Sequence, residues 1–194
     1  IAADAICGRD AAYHATQGTA ICKVFNLAAA CTGLNAKTAA RLGRTVEAVY
    51  LHPAHHARYY PGASILTLKV LYDPADGRVL GGQAVGAQGA DKTIDALAMA
   101  VRAQLTVDDL AEAELCYAPP YGSAKDPLNF AGMIAGNIRD RTVTVCPPGT
   151  RPDPDELVID VGSPAEYEAD HLEGAINIPI DQVRARLGEL PVGR

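Results

Sequence analysis

Two short stretches hold the residue types that could do chemistry. The first is Tyr117-Ala118-Pro119-Pro120-Tyr121-Gly122-Ser123-Ala124-Lys125-Asp126-Pro127. Pro119, Pro120 and Pro127 fix φ and remove backbone donors, so a stiff, extended loop outside any sheet interior is expected. Two phenols and one ammonium project from it. The second stretch is Arg58-Tyr59-Tyr60-Pro61-Gly62, a rigid turn by composition with exposed phenols. A phenol on a stiff turn can donate a hydrogen bond to an anion or a thiolate, as an oxyanion stabiliser does. The plain alternative is that both stretches only pack and connect elements.

The other reactive side chains form no recognisable site. His52-Pro53-Ala54-His55-His56 is interrupted by proline, so the imidazoles cannot share a helix face as metal ligands, and no metal is expected. The five cysteines, Cys7, Cys22, Cys31, Cys116 and Cys146, are odd in number and form no CxxC pair. They argue against a disulfide framework or a thiolate zinc site, and for reduced, mostly buried thiols in a cytoplasmic protein. Cys116 reads as a core residue. Gly81, Gly82, Gly86 and Gly89 form neither GxGxxG nor a Walker loop, so they read as places of close helix–sheet approach. No Ser/His/Asp order and no cysteine with an evident base supplies a nucleophile. The phenols therefore need a reacting partner from another segment.

Composition narrows the classes further. The net charge of -6 gives no electrostatic footprint for nucleic acid. No apolar run approaches the roughly 18 residues of a membrane span. Ile1-Ala2-Ala3-Asp4-Ala5 has no basic n-region, so it does not read as a signal peptide.

The elements that must position these residues follow from periodicity. Residues 1–11 are helix-compatible and stop at Gly8. Residues 19–27 read as a strand with apolar residues on both faces, hence covered on both. A short helix over 36–42 ends at Gly43, and strands follow over 45–51 and 64–72. Leu66, Leu68, Val70 and Tyr72 share one face of the latter. Asp73–Gly77 is a turn, and residues 78–86 return as the second strand of a hairpin. Residues 90–104 carry the apolar stripe of a helix: Ile94, Leu97, Ala98, Val101 and Leu105. Thr106 caps a short helix. Asp126 and Pro127 then open a helix to Ile138, with Phe130, Met133, Ile134 and Ile138 inward. Pro147, Pro148, Pro152 and Pro154 mark 143–156 as a linker. Beyond it lie an apolar strand at 157–161, a capping box Ser163-Pro164-Ala165-Glu166, a short strand near Ile176, and a helix capped by Asp181.

Four separated motifs also resemble a known family. Gly18–Phe25, Thr32-Gly33-Leu34-Asn35, Tyr59–Ala63 and Tyr117–Asn129 are similar, in the same order, to the C-terminal dimerisation domain of coenzyme A-disulfide reductases. Those are FAD- and NAD(P)H-dependent pyridine nucleotide-disulfide oxidoreductases. Asp160-Val161, Glu166-Tyr167 and His171–Pro179 resemble the first half of a rhodanese domain. The resemblance implies an α+β fold, a mostly antiparallel sheet with flanking helices over 12–142, preceded at 1–11 by the last helix of an FAD domain. A partial α/β rhodanese-like unit would follow over 157–194.

The resemblance further implies a homodimer in which Tyr59 and Tyr117 reach into the partner's active site, beside the coenzyme A sulfur. Tyr117 and Pro119 would lie against the partner's FAD, and Lys125 near the coenzyme A phosphates. The nucleophilic cysteine and the nucleotide-binding folds belong to a part of such enzymes that these residues do not contain. Gly162 stands where a rhodanese usually has arginine. Neither reaction is therefore expected of this stretch alone. Two rivals remain: a purely structural dimerisation module, and an NADH oxidase or peroxidase of the same class.

Overall fold

The computed structural model describes residues 1–13, 15–153 and 155–190. It divides into two compact units, Ile1–Thr144 and Val145–Arg194. In the first, α1 (Ala2–Ile6) precedes β1 (Ala20–Val24), β2 (Leu27–Gly33), α2 (Ala36–Arg41), β3 (Glu47–Leu51), β4 (Leu66–Tyr72) and β5 (Val79–Gly86). The helices α3 (Ala90–Arg102), α4 (Val107–Glu112) and α5 (Pro127–Arg139) follow. The strands form one five-stranded antiparallel sheet in the order β1-β2-β5-β4-β3. This is the expected α+β class.

One face of the sheet carries the core. Leu66, Leu68, Val70 and Tyr72 of β4 are all buried, as the alternation predicts. They pack with Val49 and Leu51 of β3, Ile94 and Leu97 of α3, and Leu128, Ala131 and Ala135 of α5. The Tyr72 hydroxyl donates to Glu47, and burial, followed by that bond, holds its pKa well above the ordinary tyrosine value. α4 crosses α5 at Gly132, where a Cβ would overlap the Val107 carbonyl oxygen and the Ala111 nitrogen. Gly82 likewise admits Leu97 of α3. The glycines of β5 thus serve close approach.

Several expectations need correction. The stretch 19–27 is not one strand covered on both faces. It is an exposed edge strand that turns at Phe25-Asn26 into β2, pairing Val24 with Leu27. Phe25 takes a left-handed φ of 53°, and β2 shows no apolar alternation because five of its seven residues are Ala, Gly or Leu. In α5 Ile134 and Ile138 pack against the core as expected, but the buried stripe is Leu128, Ala131, Gly132 and Ala135, and Phe130 is exposed. Small residues face inward because α4 lies so close. Cys7, Cys22, Cys116 and Cys146 are exposed and Cys31 is half-buried, so the thiols are free but not mostly buried.

In the second unit, β6 (Ile159–Asp160) pairs in parallel with β7 (Ile176–Asn177). Between them α6 (Pro164–Ala169) starts on the Ser163/Glu166 capping box. Asn177 Nδ2 donates to the Gly162 and Asp160 carbonyls, and the Tyr167 hydroxyl donates to the Ala175 carbonyl at 2.7 Å. Tyr167 and His171 stack with ring centroids 3.9 Å apart. Asp181 does not cap an α-helix. Helical turns begin at the Pro179 carbonyl instead, with i−3 and i−4 bonds mixed up to Arg186, and tighten into a 3-10 turn at Leu187–Glu189. The Pro154 portion of the expected linker lies outside the described residues. No helix among the described residues is long and apolar enough to cross a membrane.

Candidate functional site: two loops and a phenol pair

The loop after β3 is closed at its base by its own backbone. His55 N–H donates to the Ser64 carbonyl at 3.0 Å, and Leu66 N–H to the Pro53 carbonyl at 2.8 Å. Inside that frame the Tyr60 N–H donates to the Ala57 carbonyl at 3.0 Å, which curls the chain so that Tyr59 sits at the tip. Pro61-Gly62 completes the tip, Gly62 taking φ 90°, which only glycine adopts without strain.

The second loop joins α4 to α5. Its proline run is not extended, as expected, but turned: both Tyr121 N–H and Gly122 N–H donate to the Ala118 carbonyl, at 2.8 and 3.1 Å. The Pro119 φ suits the first inner position of such a turn. Asp126 caps α5 as expected, its carboxylate accepting from Leu128 N–H at 3.1 Å and its own N–H donating to Asn129 Oδ1 at 2.8 Å. Asn129 is buried, and its Nδ2 donates to the Leu110 and Ala113 carbonyls at 3.0 and 2.9 Å. That side chain ties the end of α4 to the start of α5. Lys92 of α3 adds a strap, its Nζ lying 3.2 Å from Asp126 Oδ2 and 3.5 Å from the Tyr121 carbonyl.

The two loops meet. Ala57 N–H donates to the Gly122 carbonyl at 3.0 Å. Beyond that bond the Tyr59 and Tyr117 hydroxyls stand 3.3 Å apart, on side chains 76% and 51% exposed in this chain. The Tyr59 phenol is held above the ordinary tyrosine pKa, first by its hydrogen bond to Tyr117, then by burial, then by the charge Tyr117 would carry. The hydrogen bond can run in either direction, so either hydroxyl can donate outward. An exposed pair of phenols sharing one hydrogen bond can turn a donor toward an incoming anion.

A cleft of about 550 Å³ lies between the same two loops and α5. Leu51, Ala54, Phe130 and Ile134 give it apolar walls, which accounts for the outward position of Phe130. Arg58 and Lys125 line it from the two loops. An apolar cleft with two cations suits an amphipathic anion. Pro119 is half-buried in the turn that follows Tyr117.

Of the sequence-predicted residues, Tyr59 and Tyr117 are brought together, and Lys125 joins Arg58 at the cleft. His55 and His56 pack with ring centroids 4.2 Å apart, but the ring nitrogens of the three histidines go to separate partners. His52 faces Thr67, His55 faces Ser64 and His56 faces the Ala57 carbonyl, and no metal-holding cluster exists among the described residues. Sequence reasoning gave no role to Lys92, Asn129 or the Ala57–Gly122 bond. Only Asn129 carried a signal, standing at the third helical position, where it completes the reciprocal cap with Asp126.

Residues 19–127 match the family described as pyridine nucleotide-disulphide oxidoreductase, dimerisation domain. The chain is 41% identical over 136 residues to the coenzyme A disulfide reductase of Staphylococcus aureus (strain JH9), an alignment covering 70% of this chain and 31% of that protein. It superposes on reduced CoADR-RHD of Bacillus anthracis with a TM-score of 0.89 and 40% identity, over 99% of this chain and 35% of that one. It superposes on the NAD-dependent persulfide reductase of A. fulgidus with a TM-score of 0.90 and 36% identity, over 98% and 35% respectively. The chain thus spans about a third of the length of the relatives it matches. By the matched domain, which covers more than half its residues, the chain belongs to the dimerisation-domain family of the pyridine nucleotide-disulphide oxidoreductases.

Proposed function

We propose that this chain is the C-terminal part of an FAD- and NAD(P)H-dependent reductase of coenzyme A disulfide, or of a coenzyme A persulfide or polysulfide. It pairs two subunits into a homodimer and lends each active site two phenols from the other side. The observation that carries this reading is the 3.3 Å approach of the Tyr59 and Tyr117 hydroxyls. Two loops far apart in sequence are built to bring them together, and both groups face outward.

In this reading the phenols hydrogen-bond the sulfur that leaves as a thiolate, stabilising charge where it develops. The bond the two hydroxyls share can run either way, so either phenol can be the one that donates to the sulfur. Lys125 and Arg58 meet the coenzyme A phosphates, and the apolar walls of the cleft take its uncharged arm. The chain has no glycine-rich phosphate cradle and its main sheet is antiparallel, so it contributes a contact to FAD and does not hold it. Tyr117 and Pro119 make that contact on the partner's FAD. The flavin, when reduced by NAD(P)H, supplies the electrons. Residues 1–11 close the preceding FAD domain, and residues 157–194 begin a rhodanese-like domain after the proline-rich linker. The free thiols suit a cytoplasmic setting.

The test is Tyr59→Phe and Tyr117→Phe in the full-length enzyme. Each variant is expected to keep its dimer and its flavin while coenzyme A-disulfide turnover falls by about 10–100-fold. Unchanged turnover would leave a structural dimerisation module. NADH consumption with oxygen alone, equal to that with coenzyme A disulfide added, would make the parent an oxidase.

A further inference from the structure

The loop that carries Tyr59 also holds a buried imidazole with no part in the reaction described so far. His56 is 5% exposed. Its Nδ1 is 3.0 Å from the Ala57 carbonyl oxygen, and since a carbonyl can only accept, Nδ1 carries the proton. The same oxygen receives the Tyr60 N–H and so closes the turn that carries Tyr59. The other backbone group of Ala57, its N–H, is the one bonded to Gly122 in the opposite loop. Ala57 is thus the point where both loops are registered, and His56 is the side chain that holds it.

The ring is itself fixed from two sides. It packs against His55, with centroids 4.2 Å apart, and meets Tyr60 edge-on at 5.8 Å. His55 is held in turn by Ser64, whose N–H donates to its Nδ1 at 3.1 Å. Behind His55 stands Gly89, where φ is 82° and a Cβ would come within 2.7 Å of the His55 Cβ. The chain of contacts therefore runs from the start of α3 through two imidazoles to the carbonyl that shapes the tip.

We propose that His56 is a positioning residue for the phenol pair: by clamping the Ala57 carbonyl it aims the Tyr59 hydroxyl at Tyr117. This rests on the proposed reductase function, in which the aimed phenol serves turnover. A polar side chain is buried here although an apolar one would fill the same space, and the hydrogen bond it makes among the described residues is to the turn that sets Tyr59. Displacing a reacting group by about 1 Å can cost up to about 100-fold in rate.

The experiment is a double-mutant cycle in the full-length reductase. His56→Leu should lower kcat by about tenfold with KM within about twofold. In a Tyr59→Phe background the same change should lower kcat by less than about twofold, because the aimed hydroxyl is already gone. His56→Asn, whose amide nitrogen reaches the Nδ1 position, should recover most of the loss. His56→Gln, whose amide sits where Nε2 does, should not. An equal loss in both backgrounds overturns the proposal, as does Asn performing no better than Gln; the latter comparison decides the matter if the Leu variant does not fold. If Tyr59→Phe alone leaves turnover intact, the reductase reading falls. The positioning is then judged from a crystal structure of the full-length His56→Asn and His56→Gln variants. Separation of the two hydroxyls beyond hydrogen-bonding distance in the Gln variant alone supports it, and an intact pair in both overturns it.

Discussion

The Tyr59 and Tyr117 hydroxyls lie 3.3 Å apart although 58 residues separate them in the chain. Neither belongs to a regular element, and neither is buried. Their meeting is the work of the backbone below them: the Ala57–Gly122 bond, the two turns it joins, and the Lys92 strap on the second.

Removing the Tyr117 hydroxyl should lower the Tyr59 pKa. The hydrogen bond to Tyr117 is the largest cause of its rise. A tyrosinate absorbance titration of Tyr117→Phe, with Tyr59→Phe/Tyr117→Phe as the reference, isolates Tyr59 and should place it nearer the ordinary value of about 10. The sign for stability follows. A raised folded-state pKa means the folded chain binds the proton more tightly than the unfolded chain. The contribution is whole below about pH 10 and is lost as pH rises through the folded-state value. Tyr117→Phe should therefore flatten the alkaline loss of stability, measured as the change in urea midpoint above about pH 10.

Two glycines of α5 should respond with opposite sign. At Gly132 a Cβ meets backbone of α4 that has no room to yield, so Gly132→Ala should cost about 1–3 kcal/mol. At Gly136 nothing lies within 4 Å of the added atom, so Gly136→Ala should gain up to about 1 kcal/mol from helix propensity. Urea unfolding of the two variants side by side gives both values.

Asn129→Ala should cost about 1–3 kcal/mol, since it strips a donor from the Leu110 and Ala113 carbonyls and an acceptor from the Asp126 N–H. If the second loop depends on that tie, amide exchange should also quicken over residues 113–126. Exchange unchanged there would mean that the Lys92 strap and the Ala57–Gly122 bond suffice.

The cations of the cleft make a kinetic prediction under the proposed function. Arg58→Ala and Lys125→Ala should each raise KM for coenzyme A disulfide several-fold while kcat stays within about twofold, because uniform binding is lost. Both should also weaken the dependence of KM on salt, measured between about 0.05 and 0.3 M ionic strength.

How legible this was in the sequence varies with the kind of signal. The β4 face and the capping residues Thr106, Asp126 and Ser163 were readable because periodicity and capping are local. β2 was not. Its alanines favour helix intrinsically, and they form a strand because β1 and β5 bond it from both sides while α3 needs small residues beneath it. Phe25 in a left-handed turn hid the hairpin that would have revealed it. In the site, the stiffness of the proline loop was readable but its turn was not, since consecutive prolines suit an extended chain equally well. The phenols stood out by residue type. Their meeting rests on backbone bonds between distant loops, for which residue identities carry no mark.

The proposed role of the phenols is exerted across the subunit boundary. Full-length protein carrying Tyr59→Phe and Tyr117→Phe should be mixed, under conditions of subunit exchange, with full-length protein lacking its redox cysteine. The cysteine-less parent is expected to be inactive toward coenzyme A disulfide and the tyrosine parent strongly impaired, and the mixed dimer is predicted to turn over faster than either, because one of its sites then has both its cysteine and intact phenols from the other subunit. No recovery in verified mixed dimers would contradict the account and return the tyrosines to their own subunit.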